Sequence, residues 1–111
     1  MSARAQRIDD AFAALADPAR RRAVELLAHQ PRRAGELARA LRVSPSAMSK
    51  HLRILRDRGL VSDTHPANDT RVRIYALRSA PMADLRAWLE ATERGWAEQL
   101  SAFAEHLERK P

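Results

Sequence analysis

The chain has 111 residues, enough for one domain and too few for two ordinary ones. It has no cysteine, which excludes disulfides, thiolate metal sites and cysteine nucleophiles. The net charge of +6 is uneven: residues 32–78 carry 11 Lys and Arg against 4 Asp and Glu, and the rest carries 9 against 10. This concentration favours a polyanionic partner, although a merely solvated basic face is the simpler alternative.

The start of the chain, MSARAQRIDDAF, has charges but no apolar segment of signal-peptide length. No apolar run anywhere in the sequence approaches the length of a membrane-spanning helix. We therefore expect a soluble cytoplasmic protein with no membrane partner.

Two helices are predicted at the start of the chain. Ile8, Phe12 and Leu15 are spaced by four and three residues, so they fall on one helical face. In the second helix Asp17 is a good N-cap and Pro18 suits the first helical position.

A helix-turn-helix pattern is predicted over residues 34–58. The segment RRAGELARAL forms a short helix and RVS a tight turn, in which Arg42 occupies a position where glycine would be easier. Ser44 then caps a second helix, Pro45 takes its first position and Gly59 stops it. The inner face of this second helix is apolar and comprises Met48, Leu52 and Leu55.

The pattern changes to a period of two over residues 60–77, which predicts a β-hairpin. The segment PAND supplies the turn between the strands. The returning strand is basic: Val72, Ile74 and Ala76 alternate with Arg71, Arg73 and Tyr75. We expect Tyr75 to lie partly in the core of the hairpin.

A last long helix is predicted from Pro81 to about Glu108, with an apolar stripe whose steps of three and four approximate a coiled-coil seam. Neither this stripe nor that of the first helix has an obvious partner inside so small a domain, so we expect a homodimer. The predicted dimer interface comprises Ile8, Phe12, Leu15, Leu85, Leu89, Trp96, Leu100, Phe103 and Leu107.

This order of elements predicts a mainly α fold with a β-hairpin wing, a winged helix-turn-helix. Residues 1–111 form one domain in this interpretation, with dimerisation helices at 1–16 and 81–108 and the wing at 60–77. A solvent-exposed helix of an ordinary bundle is the plain alternative for the basic second helix.

The second helix of the motif has the composition to enter the major groove of DNA, and its N-terminus directs backbone N–H groups at phosphate. We expect its first turns to reach base edges, and its later arginines and the wing to meet phosphates. The predicted DNA-binding residues are Ser46, Ala47, Ser49, Lys50, His51, Arg53, Arg56, Arg71 and Arg73.

The sequence resembles the ArsR-type family of bacterial winged-helix repressors. The matching segments are ALADPARRRAVELL, GELARAL, MSKHLRILRDRGLV and RIYAL, which together lie within residues 12–77. The resemblance implies a homodimeric transcriptional regulator, usually a repressor of its own operon, whose first and last helices pair across a two-fold axis. Residues 44–56 would then be the recognition helix.

Metal-sensing members of that family carry a cysteine cluster in the short helix or His and carboxylate ligands on the terminal helix. Here cysteine is absent, and no residue three or four positions from His106 is a carboxylate or imidazole. His29 and Glu25 suggest a helix-end ion pair, while Asp63 and His65 on one strand face are too few ligands for zinc. We therefore expect no metal and no cofactor, unless a site is assembled between subunits.

The sequence bears on three other functions. Only three glycines are present, with no phosphate-cradling loop and no carboxylate pair beside a histidine, so we expect no enzyme. A winged-helix RNA- or protein-interaction module remains an alternative. So does a metal- or small-molecule-responsive repressor with its site at the dimer interface, where Trp88 and Trp96 would line a pocket or simply pack. The effector and the operator cannot be read from the sequence.

Overall fold

A computed structural model describes residues 2–109; Met1, Lys110 and Pro111, which the predicted domain includes, lie outside the described residues. The elements in chain order are α1 (Ala3–Leu15), α2 (Pro18–Leu27), β1 (Arg32–Arg33), α3 (Ala34–Leu41), α4 (Pro45–Asp57), β2 (Val61–Thr64), β3 (Ile74–Leu77) and α5 (Ser79–Glu108). None of the helices in residues 2–109 is long and apolar enough to cross a membrane. The predicted winged helix-turn-helix architecture is confirmed.

The predicted caps of α2 and α4 are both formed. The Asp17 carboxylate accepts hydrogen bonds from the backbone N–H groups of Ala19 and Arg20, at 2.8 and 3.3 Å. Ser44 Oγ accepts one from the N–H of Ala47 at 3.2 Å. Each cap satisfies donors that the first turn of a helix leaves without a partner, so both helix starts are fixed by local sequence.

Two residues in the left-handed region of backbone space end the two helices of the helix-turn-helix. Arg42 has φ 56° and ψ 45°, and the Val43 N–H then donates to the carbonyl of Ala38 at 3.0 Å. Gly59, with φ 84°, ends α4. Glycine adopts this conformation freely, whereas a residue with a Cβ pays about 1–2 kcal/mol for it. The turn at Arg42 is therefore a strained position, as the sequence indicated.

The wing belongs to a three-stranded antiparallel sheet of order β1-β3-β2. The short strand β1 was not predicted, because two consecutive arginines carry no strand pattern. The returning strand was predicted from Arg71 but begins at Ile74, so Arg71 and Arg73 precede the strand. The reason is local: the Asp69 carboxylate accepts the backbone N–H of Arg71 at 2.9 Å, and this turn occupies a donor that a ladder would need.

The core lies between the helices and the inner face of the sheet. Tyr75 is buried, more deeply than its expected partial placement in the hairpin. The largest fully buried side chains are Leu37, Met48, Leu52, Leu55, Leu60 and Val61. The inner face of α4 is thus wholly enclosed, as predicted.

The first part of α5 packs against α1 within the same chain. Ile8 and Leu85 are only 8% and 9% exposed, so the expectation that neither terminal stripe has a partner inside the domain is wrong for these two residues. Phe12 and Trp88 meet edge to face, with ring centroids 5.1 Å apart. Helix α5 begins at Ser79, two residues before the expected Pro81, and ends at Glu108 as expected.

The outer part of α5 extends beyond this contact. Its helix has 30 residues, or about 45 Å at 1.5 Å per residue, and the longest dimension of the described chain is 75 Å. The large apolar side chains that remain exposed along it are Trp88, Leu89, Trp96, Leu100, Phe103 and Leu107.

Candidate nucleic-acid interface

Helix α4 has a buried apolar face and an exposed face that is polar apart from Ile54. Met48, Leu52 and Leu55 are fully buried on one side, where α4 packs against α2, α3 and β2. On the other side the predicted contact residues Ser46, Ser49, Lys50 and Arg53 are exposed, and Ala47 is half-buried. The buried apolar row fixes the rotation of the helix, so the polar row must face outward.

The N-terminus of α4 is open to an anion. No acidic residue stands in its first turn, so no carboxylate neutralises the positive end of the helix dipole. Ser44 Oγ serves as the cap and lies 3.4 Å from Ser46 Oγ. A polar, uncharged entry followed by Lys50 suits a surface that approaches a polyanion.

His51 lies differently from the other predicted contact residues. It is half-buried, and its Nδ1 is 3.5 Å from Arg20 Nη1. Arg20 Nε in turn donates to the carbonyl of Ala14 at 2.6 Å, which ties the end of α1 to α2. The structure therefore places His51 at a helix junction, with one ring nitrogen directed into the protein.

The same junction perturbs Asp17. Partial burial of its carboxyl raises the pKa, but the N–H groups of Arg20 and Ala19 and the charges of His51 and Arg20 lower it by more. The pKa of Asp17 therefore lies below its usual value, and the carboxylate is favoured as the cap of α2.

An open groove of about 290 Å³ separates α4 from the wing. It is lined by Ser49, Arg53, Arg56, Arg73 and Tyr75, and we call it the arginine groove. The predicted contact residues Ser49, Arg53, Arg56 and Arg73 thus come together on one surface, although they derive from two separate segments.

Asp63 joins the two sides of the arginine groove. Its Oδ2 lies 3.0 Å from Arg73 Nη1 and 3.6 Å from Arg56 Nη1. The sequence pairs Asp63 with His65 as two possible metal ligands, but the Asp63 carboxylate faces these arginines, and β2 ends before His65. Sequence reasoning missed this bridge; the one available signal was an acidic residue in a strand flanked by basic segments.

The tip of the wing is held by local contacts. Arg71 Nε lies 3.3 Å from Asp69 Oδ1, and the Arg71 side chain is 91% exposed. His65 Nδ1 is 2.9 Å from the carbonyl of Val72, so it donates its N–H across the hairpin. Within residues 2–109, no three His, Asp or Glu side chains form a group that could hold a metal ion.

Comparisons with known proteins agree with this geometry. The family model described as "Bacterial regulatory protein, arsR family" matches residues 17–63. The HTH-type transcriptional regulator Rv2034 of Mycobacterium tuberculosis is 44% identical over 100 residues, which span 90% of this chain and 88% of that protein. The chain belongs to the ArsR family.

Two further proteins are similar to this chain. The transcriptional repressor SmtB homolog of Synechocystis is 49% identical over 57 residues, 51% of this chain and 43% of that protein. The solved structure of an ArsR-like transcriptional regulator from Rhodococcus superposes with a TM-score of 0.76 at 29% identity, covering 94% of this chain and 95% of that one. This ArsR family member is therefore a DNA-binding transcriptional regulator with a winged helix-turn-helix fold.

The ArsR family model covers the helix-turn-helix but not the terminal helices. Residues 17–63 contain α2, α3, α4 and nearly all of β2, but neither α1 nor α5. The similarity to the family is thus carried by the helix-turn-helix, while the likeness of the terminal helices rests on the full-length relatives.

Proposed function

We propose that the protein is a homodimeric cytoplasmic repressor that binds an inverted-repeat operator without needing a metal ion. The observation that carries this proposal is the polar face of α4, which continues into the arginine groove and the wing. The relative from Synechocystis is a transcriptional repressor, which supports repression over activation.

The first turns of α4 would read the bases. Ser46, Ala47, Ser49 and Lys50 project from the N-terminal half of the helix, the part that reaches base edges in helix-turn-helix proteins. The Lys50 ammonium would donate to the acceptors of a guanine edge, and the Ala47 methyl would meet a thymine methyl. These contacts would specify the sequence, since phosphates carry no base information.

The arginines would hold the backbone. Arg53 and Arg56 lie further along α4, and Arg71 and Arg73 approach from the wing. Guanidinium groups bind phosphate through paired N–H donors, so these residues would fix the register of the protein on the duplex. His51 would take part only through the ring atoms that Arg20 leaves free.

The dimer would form through the terminal helices. Leu89, Trp96, Leu100, Phe103 and Leu107 are exposed along one stripe of α5, beside the half-exposed Phe12. Covering such a stripe contributes about 25 cal/mol per Å² of apolar surface removed from water, so a second copy of α5 would suit it. Ile8 and Leu85 are already buried within one chain and would support this interface from beneath, and Leu15 is partly buried on the same core.

Two alternatives are less well supported by the geometry. An RNA-binding module would need exposed aromatic platforms, but Tyr75, the one aromatic residue in 32–78, is buried. A small-molecule site at the dimer interface would have to use the open groove of about 270 Å³ that Trp88 lines with Ile8 and Ala91, but the Trp88 ring is already packed against Phe12.

Selection of bound fragments from the source genome tests the proposal. We expect enrichment of an inverted repeat whose half-site centres lie about 10 base pairs, or a multiple, apart. Chelator and added zinc should leave the affinity for that operator unchanged. Enrichment of no common duplex sequence would contradict the proposal, and a tenfold loss of affinity on adding stoichiometric zinc would overturn metal independence.

A further inference from the structure

We propose that Asp63 is a positioning residue: it fixes Arg56 of α4 and Arg73 of the wing relative to one another, so that together they hold one DNA phosphate in the arginine groove. The inference rests on the proposed function and adds to it a residue that does not touch DNA. Asp63 would act through the two arginines.

The burial of the three side chains supports this role. The Asp63 side chain is 19% exposed, whereas those of Arg56 and Arg73 are 38% and 46% exposed. The carboxylate thus lies beneath, and the guanidinium groups extend outward over it. Both arginines meet the same oxygen, Oδ2, so the position of one constrains the position of the other.

The arginines keep donors for a second anion. Each guanidinium has five N–H groups in a fixed fork. The link to Asp63 uses one terminal nitrogen of each, and Arg56 Nε also lies 3.8 Å from Asp57 Oδ1. Arg53 lines the same groove and makes no ion pair within residues 2–109. Three arginines against the two carboxylates of Asp57 and Asp63 leave a net positive charge at the groove, and the Ser49 hydroxyl adds a neutral donor. This donor set suits a phosphate diester.

The link joins side chains from two different segments of the chain. Arg56 belongs to the recognition helix, while Arg73 lies just before β3 in a segment without ladder hydrogen bonds. Without Asp63 the arginines would repel each other and sample many rotamers. Non-specific binding depends on charge and tolerates such freedom, whereas specific binding needs phosphate contacts that fix the register.

The two possible roles of Asp63 therefore predict opposite changes in operator affinity. If Asp63 only reduces the positive charge of the groove, Asp63→Asn should tighten binding to every duplex. If it positions the arginines, the same change should weaken operator binding and leave scrambled DNA unaffected or more tightly bound. Ion pairs with this exposure contribute little to folding stability, so the variant should remain folded.

The experiment measures the affinity of wild type, Asp63→Asn and Asp69→Asn for the selected operator and for a scrambled duplex of equal length, at one salt concentration. Asp69→Asn is the matched control, because it removes the same charge from the wing and its carboxylate pairs with Arg71, whose phosphate contact is expected to affect both duplexes alike. We expect Asp63→Asn to lower the ratio of operator to scrambled affinity about tenfold, and Asp69→Asn to leave that ratio within about twofold.

The same change in an Arg56→Gln/Arg73→Gln background separates positioning from a structural effect. Asp63→Asn should alter the ratio by less than about twofold there, because the groups it positions are gone. A persistent tenfold loss in that background, or equal behaviour of Asp63→Asn and Asp69→Asn on both duplexes, would overturn the inference. Failure of wild type to discriminate between the duplexes would instead refute the proposed function.

Discussion

The helix-turn-helix buries its apolar side chains, whereas the outer part of the terminal helix α5 exposes them. In α4 the apolar row of Met48, Leu52 and Leu55 is fully enclosed by the same chain. In the outer part of α5 an equally regular row remains exposed, with Trp96 62% accessible. The apolar face of the first element is buried within one chain, whereas that of the second remains exposed.

The charged residues are also distributed unequally between these two regions. Residues 32–78, which hold the helix-turn-helix and the wing, carry 11 basic and 4 acidic residues, and the remainder is nearly balanced. The net positive charge thus lies in the region whose apolar side chains are buried. The region that exposes its apolar side chains is nearly neutral. Each surface suits a different partner: a polyanion for the first and an apolar helix for the second.

The largest effect is expected from substitutions in the exposed apolar stripe of α5. Leu100→Asp combined with Phe103→Asp should give monomers and lower operator affinity by at least about a hundredfold, because linked half-site binding is lost. Sedimentation and operator titration measure both effects. Ser101→Asp combined with Ala102→Asp adds the same charge to the opposite side of the same turn and should remain dimeric. An unchanged dimer in the first variant would place the interface elsewhere.

A smaller effect is expected on the DNA-facing side. Lys50→Ala should weaken operator binding by about 1–3 kcal/mol and relax base preference at one position of each half-site. Arg94→Ala removes a charge of the same sign from the exposed side of α5 and should leave base preference intact. The comparison is made on operators substituted one base pair at a time. Equal losses on every duplex would show that Lys50 holds DNA without reading it.

The cap of α2 at Asp17 makes the folding stability of the domain sensitive to acid. Because its pKa is lowered in the folded state, the stabilisation is complete above the unfolded-state pKa and is lost as pH falls through the folded-state pKa. Urea unfolding from about pH 6 to about pH 2 should show wild type losing its advantage over Asp17→Asn, which cannot titrate. A constant difference across that range would mean that Asp17 contributes no pH-dependent term.

The smallest effect concerns the turn of the motif. Arg42→Gly should raise the free energy of unfolding by about 0.5 kcal/mol, since glycine relieves the left-handed backbone and loses slightly more entropy. Ala40→Gly, within α3, should lower it by about 1 kcal/mol. Thermal unfolding of both variants measures whether these two changes in the free energy of unfolding have opposite signs. If Arg42→Gly destabilises the protein, the Arg42 side chain makes a stabilising contact.

Features fixed by local chemistry were predictable from the sequence. The caps at Asp17 and Ser44, the stop at Gly59 and the buried row of α4 depend on residues within one or two turns, and each was found where the pattern placed it. The family resemblance rested on these same segments, and the match over residues 17–63 confirms it.

Features that depend on distant residues were not predictable. Strand β1 exists only because Arg32 and Arg33 lie beside β3, and the Asp63 bridge requires the wing to fold back on α4. An apolar stripe also has the same period whether its partner is in the same chain or another. Periodicity alone therefore could not show that Leu85 is buried on α1 while Leu100 is exposed.

The most direct measurement is a salt titration of wild type and Arg71→Ala on the selected operator and on a scrambled duplex. If Arg71 contacts phosphate as proposed, its loss should weaken both complexes alike and lower the salt slope by about one unit per contact, or about two for a dimer. That result would establish the wing as part of the DNA-binding surface. An unchanged slope, with wild-type affinity on both duplexes, would contradict a DNA-facing role for the wing.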